Sequence, residues 1–71
     1  MQELKRLIKD AGLTQSDISL ALNIKSLSTI NLKLNGKAEF STKEATILKN
    51  MINEKLNSNY SLEDLFSNHE N

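Results

Sequence analysis

Residues 13–37 read LTQSDISLALNIKSLSTINLKLNGK, and the way this stretch divides decides the fold. Thr14 followed three residues later by Asp17 has the spacing of a capping box, in which a hydroxyl and a carboxylate each satisfy a free amide at a helix start. Ile18 and Leu22 then recur at i and i+4, which places them on one helix face. Asn23 tolerates the left-handed conformation better than most non-glycine residues and is suited to stop that helix. After Ile24 and Lys25, Ser26 or Ser28 caps a third helix. Leu27, Ile30 and Leu34 share a face at i, i+3 and i+7, and Asn35-Gly36 supplies strong C-terminal turn chemistry. The stretch therefore predicts two short helices separated by a tight turn that contains Asn23 and a buried Ile24.

Outward from this unit the pattern stays helical. Upstream, Leu4, Leu7, Ile8 and Ala11 form one apolar face of a helix over residues 2–11, with Gly12 as its C-terminal cap. Downstream, a loop through Phe40 leads to Ser41, and Glu44 three residues later makes the clearest capping box of the chain. A helix over residues 42–56 buries Ala45, Leu48, Ile52 and Leu56, with Ile47 and Met51 widening the stripe. Residues 57–59 are a polar break, and Ser61 caps a short last helix carrying Leu62, Leu65 and Phe66. Proline and valine are absent, Gly12 and Gly36 are the only glycines, and strict apolar–polar alternation is hard to find, so strands are disfavoured. The expected fold class is all-α: a compact bundle of about five short helices with a central helix-turn-helix. One domain spans residues 1–67, its helix-turn-helix unit about 14–36, and residues 68–71 form a short C-terminal tail.

Bulk properties narrow the function. With 71 residues and no cysteine, neither a disulfide nor a thiolate-held metal can reinforce the core. A core of this size rarely supplies more than about 3–5 kcal/mol, so helix packing, self-association or a partner must contribute. No apolar run approaches the roughly 18–20 residues that cross a bilayer, and the N-terminus lacks the apolar centre of a signal peptide. A cytoplasmic protein is expected. The nine basic residues balance the nine acidic ones, which is unusual for a DNA-binding domain. The balance is uneven along the chain. Between Ile18 and Ala38 the only charged residues are Lys25, Lys33 and Lys37, whereas beyond Lys55 the charged side chains Glu63, Asp64 and Glu70 are all acidic.

The residues of the central unit also resemble a known family. Leu13-Thr14-Gln15 at the opening, Leu22 and Ile24 about the turn, Ser/Thr before Ile30 and Asn35-Gly36-Lys37 at the close are similar to the Cro/CI-type (XRE-like) phage helix-turn-helix regulators, whose fold is that of the lambda repressor. The likeness covers most of the chain, and Leu32–Lys37 with Phe40-Ser41 is nearest to small phage-encoded Cro-like regulators; the whole chain is also similar to phage regulators that work opposite a CI-type repressor. The resemblance implies a bacterial-host regulator of the lysis–lysogeny switch, with no cofactor. It also implies contact roles: Gln15 toward a backbone phosphate at a helix N-terminus, Ser28, Thr29 and Lys33 toward the major groove, and Asn35 or Lys37 near phosphate, with Lys25 and Asn31 in the same contact set.

Three departures from the family pattern open a second reading. Ser19 stands where a small alanine is usual, Asn23 where glycine is usual, and Lys25 makes the turn one residue longer. One residue is a 100° rotation of a helix, so the insertion either lengthens the turn or turns the third helix. No arginine occurs in the unit, although arginine to guanine is the commonest specific base contact. On a helical wheel Leu32 points outward beside Ser28, Thr29 and Asn35, and Leu20 points away from Ile18 and Leu22. These leucines either cover neighbouring loops or belong to a protein-binding face. Two partners are thus expected for one surface: a CI-type repressor, bound by protein contact, or operator DNA.

Elsewhere the sequence offers little chemistry. His69 is the only histidine and reads as a solvated tail residue. Glu63 and Asp64 diverge by about 100° on a helix and complement its N-terminus. No serine or threonine has a base and an orienting partner, no glycine motif cradles phosphate, and no metal-ligand cluster is visible, so an enzyme is not expected. Tyr60, Leu62, Leu65 and Phe66 concentrate apolar surface near the C-terminus, for closing the core or for a homodimer.

Overall fold

A helix leaves its first amides without intrahelical partners, and in this chain side chains at four helix starts take them up. The computed structural model describes residues 2–66, with helices in the order α1 Gln2–Asp10, α2 Gln15–Leu22, α3 Leu27–Leu34, α4 Thr42–Leu56 and α5 Leu62–Phe66. Among the described residues there is no strand. Thr14 and Asp17 form a reciprocal capping box on α2, as Ser41 and Glu44 do on α4. On α5 the Asp64 amide donates to the Ser61 hydroxyl at 3.0 Å, and the Ser61 amide returns to the Asp64 carboxylate at 2.9 Å. Ser26, not Ser28, caps α3, accepting from the Thr29 amide. The tail, residues 68–71 with His69, lies outside the described residues.

Four helix ends share one solution. Gly12, Asn23, Gly36 and Asn57 adopt positive φ, between 53° and 79°. The residue after each donates its amide to a carbonyl five positions back, as in Leu13 to Ile8 at 3.1 Å and Lys37 to Leu32 at 2.9 Å. This closure satisfies carbonyls that the last turn leaves free. Short helices thus stop cleanly, and the chain reverses within a few residues.

The core comprises Leu4, Leu7, Ile8, Leu13, Ile18, Leu22, Ile30, Leu34, Ala45, Leu48, Ile52 and Leu65, and among the described residues no polar or charged residue is buried with them. Leu4, Ile18, Ile30, Leu48 and Ile52 are its largest fully buried side chains; each such side chain contributes roughly 1.5–3 kcal/mol. The long α4 is the strut, packed against α1, α2 and α5, while α2 packs on α3 and α1 on α5. Asn53 fastens the α4–α5 connection: its amide donates to the Tyr60 carbonyl at 2.9 Å and its carbonyl accepts from the Tyr60 amide at 2.8 Å.

The structure corrects four expectations. Leu27 is not an inward residue; it is 47% exposed. With Ser26 as the cap, Leu27 is the first residue of α3, and helical side chains lean toward the N-terminus, here past the edge of the body. Leu56, at the last turn of α4, is only half-buried, as is Ile24. Ala11 lies in the turn beyond α1. No helix among the described residues is long and apolar enough to cross a membrane.

Candidate interaction surface

Lys25 lies between α2 and α3 and belongs to neither helix. Ile30 and Leu34 remain buried, so α3 keeps its inward face, and residues 23–26 form the connection. Ser19 supports that connection, because its hydroxyl donates to the Ile24 carbonyl while its own carbonyl accepts from the Ile24 amide at 3.0 Å. An alanine at position 19 would leave the Ile24 carbonyl without this donor.

With the inward face fixed, Ser28, Asn31 and Leu32 are exposed on α3, Asn35 is exposed at its C-cap, and Thr29 is half-buried. Asn35 is held on two sides. Its amide donates to the Asn31 carbonyl and side-chain oxygen, both at 2.9 Å, and its own side-chain oxygen accepts from Lys5 of α1 at 2.8 Å. Lys5 was invisible to a reading confined to residues 13–37.

Lys33 departs from its expected outward role. Its side chain is only 14% exposed and folds back across the α3–α4 loop. There Nζ donates to the Glu44 carboxylate at 2.9 Å and to the Glu39 carbonyl at 2.8 Å, and sits 5.7 Å from the centre of the Phe40 ring, within cation–π range. Phe40 in turn meets Phe66 of α5 edge to face, with ring centres 5.4 Å apart. The cause lies in the wheel position of Lys33, on the flank of the buried stripe and beside the acid at the start of α4. The Lys33 hydrogen bond, followed by the Ser41 amide, holds the Glu44 carboxyl below its ordinary range. Lys25 and Lys37 are exposed, and among the described residues neither belongs to an ion pair.

The α2 N-terminus, where the resemblance implies phosphate contact through Gln15, already carries an anion. Asp17 accepts from the Thr14 amide at 2.9 Å, and its own amide is taken by the Thr14 hydroxyl at 3.1 Å. The Thr14 hydrogen bonds hold its carboxyl ionised and below the ordinary aspartate value. Gln15 itself is exposed, but a phosphate approaching this turn meets a fixed negative charge. Glu44 and Asp64 fill the starts of α4 and α5 in the same way, leaving α3 as the capped helix without an acid in its first turn.

Apolar exposure is concentrated in the same unit. Among the described residues the exposed large hydrophobic side chains are Leu20 at 82%, Leu27 at 47% and Leu32 at 47%, all on α2 or α3. Leu20 borders an open groove of about 430 Å³ between α2 and α4, with Leu13, Asp17, Ala21, Met51 and Lys55 as its other lining residues. No residue of α3 lines it. The two outward leucines read together from the sequence therefore belong to different settings, Leu32 to the outer side of α3 and Leu20 to the α2–α4 groove. Among the described residues no cluster of His, Cys, Asp and Glu is placed to hold a metal ion. Comparison of the chain with protein-family models, curated proteins and solved structures gives no match in any of the three.

Proposed function

We propose that this protein is a helix-turn-helix regulator of a temperate-phage lysis–lysogeny switch, working in the bacterial cytoplasm as an antagonist or modulator of a CI-type repressor through protein contact. One contrast carries this reading. Within the unit that would face DNA, Leu27 and Leu32 are turned outward while Lys33 is neutralised by Glu44. A surface that exposes leucine and withdraws a cation suits a partner with apolar surface of its own better than a polyanion. Asp17, ionised at the α2 N-terminus, adds repulsion toward phosphate in the same unit.

Direct operator binding, in the manner of a Cro-like repressor, is the second reading. It is favoured by the exposed Ser28 and Asn31 on α3 and Asn35 at its C-cap, side chains able to hydrogen-bond to base edges, and by exposed Lys25 and Lys37. A gel shift on the phage operator region, with and without the opposing repressor and across a salt series, separates the two. The proposed antagonist gives no shift alone and removes or alters the repressor's shift. Strong binding alone that weakens steeply with salt overturns the proposal. In a parallel pull-down, Leu32→Glu is expected to lose the repressor while its helical circular dichroism is unchanged.

A further inference from the structure

We infer that Glu44 sets the partner choice of this surface, by holding Lys33 away from the outer side of α3 and so keeping the helix-turn-helix unit off nucleic acid. The inference rests on α3 being the contact surface proposed above, and not on the identity of the repressor. The observation is that one carboxylate oxygen serves two donors of different need. Oε1 of Glu44 accepts from the Ser41 amide at 3.0 Å and from Lys33 Nζ at 2.9 Å. The first contact closes the capping box on α4, and a neutral glutamine closes such a box as well as a glutamate does. The full negative charge finds its counterpart in the second.

Without Glu44, Lys33 would stand at the edge of the α3 surface. It lies one turn beyond Thr29, on the flank next to Ser28 and Leu32, and no acid occurs between Ile18 and Ala38 to meet it. The first turn of α3 has no acid either, unlike those of α2, α4 and α5. Glu44 supplies from α4 the carboxylate that α3 lacks. The Glu39 carbonyl at 2.8 Å and the Phe40 ring at 5.7 Å complete the hold, but both are neutral and cannot cancel a charge. With Lys33 held, exposed Lys25 and Lys37 are the lysines of the unit left for phosphate. Freeing Lys33 adds a third, and each phosphate neutralised adds about 0.9 to the slope of log affinity against log salt.

Fluorescence anisotropy of a labelled, mixed-sequence DNA duplex across a salt series tests this with the whole chain and without the repressor. The wild type is expected to bind only weakly, with a slope of about −1.8. Glu44→Gln is expected to bind at least about threefold more tightly at low salt, with a slope of about −2.7. Glu39→Gln removes the same charge from the adjoining loop, where the Glu39 carboxylate is in no ion pair among the described residues, and is expected to keep the wild-type slope. Lys33→Met in the Glu44→Gln background is expected to return the slope to about −1.8. Circular dichroism checks that each variant is folded. In the unaltered protein, NMR shifts of the Lys33 side chain are expected to be unchanged at duplex concentrations that move those of Lys25 and Lys37. An unchanged slope in Glu44→Gln overturns the inference, as does a steeper slope that survives Lys33→Met, which reports only the lost carboxylate charge. Lys33 shifting together with Lys25 and Lys37 in the unaltered protein overturns it too, because the lysine then leaves Glu44 unaided. Failure of the repressor reading is seen separately, in strong binding by the wild type alone and in the Leu32→Glu pull-down.

Discussion

Replacing Lys33 by methionine removes the charge while keeping an unbranched apolar stem against Phe40. At the observed 2.9 Å separation from Glu44, an effective dielectric of about 20 gives a gross attraction of roughly 5–6 kcal/mol. Partial desolvation of both groups and the ordering of a lysine side chain offset most of it. Exposed pairs return about 0.2–1 kcal/mol, and breaking fully buried ones costs about 3–5 kcal/mol. Lys33 and Glu44, with side chains 14% and 22% exposed, lie between, and the Glu39 carbonyl loses its donor as well. The expected loss is about 1.5–2.5 kcal/mol, or roughly 6–20 °C in Tm for a chain of this size. Urea denaturation at neutral pH, repeated across the acid range, measures it. The folded protein holds the Glu44 carboxyl below its ordinary value of 4.5, so the stability from Glu44 is complete above that value and is lost as pH falls through the lower folded one. Lys33 is the first cause of that depression. The acid loss of stability should therefore be smaller in Lys33→Met than in the wild type, with the remainder due to the Ser41 amide and to Asp17. A loss below about 0.5 kcal/mol with an unchanged acid limb would refute the assignment of Lys33 to the loop.

Further substitutions test the remaining joints. Ser19→Ala is expected to cost about 1 kcal/mol in urea denaturation because the Ile24 carbonyl loses its hydroxyl donor; a stabilising result would break the link between Ser19 and the α2–α3 connection. Asn53→Ala deprives both the amide and the carbonyl of Tyr60 of partners and should cost about 1–3 kcal/mol, with faster hydrogen exchange at the Tyr60 amide as its local signature. Ile52→Ala empties a fully buried site at a cost of about 2–5 kcal/mol. Against a total of about 3–5 kcal/mol, that leaves the variant largely unfolded by circular dichroism at 37 °C.

The helices were legible because their ends are local. Thr14/Asp17 and Ser41/Glu44 announce themselves within four residues, and so do the left-handed stops at Gly12, Asn23 and Gly36. The candidate surface was legible only where wheel position alone decides exposure, as for Leu32 and Ser28. Lys33 was misplaced because its partner lies eleven residues on, in a helix whose approach depends on the path of the loop between them. Leu27 was misplaced because an apolar residue at i, i+3 spacing stays inward only if the helix body extends beneath it. The α2–α4 groove needed Met51 and Lys55, more than thirty residues from Leu20 in the chain, and no local pattern couples them.

The proposed preference for a protein partner over DNA rests on where the cations go. Each phosphate that a lysine neutralises adds about 0.9 to the slope of log affinity against log salt, and proteins with 6–10 such contacts lose about 10³–10⁵ in affinity between 50 and 200 mM salt. With Lys33 committed to Glu44, the unit keeps Lys25 and Lys37, enough for a slope of about −1.8. Lys5, already bonded to Asn35, raises it only by leaving that side chain. Asp17 works against all three at the α2 N-terminus, the position from which a helix-turn-helix ordinarily grips the backbone. Two lysines and a fixed carboxylate make a poor electrostatic anchor on DNA, but they are an ordinary polar rim for an apolar contact. On the proposed reading, α3 offers the exposed Leu27 and Leu32 to a protein partner, while the charge of Lys33 is taken up by Glu44 at the α3–α4 loop.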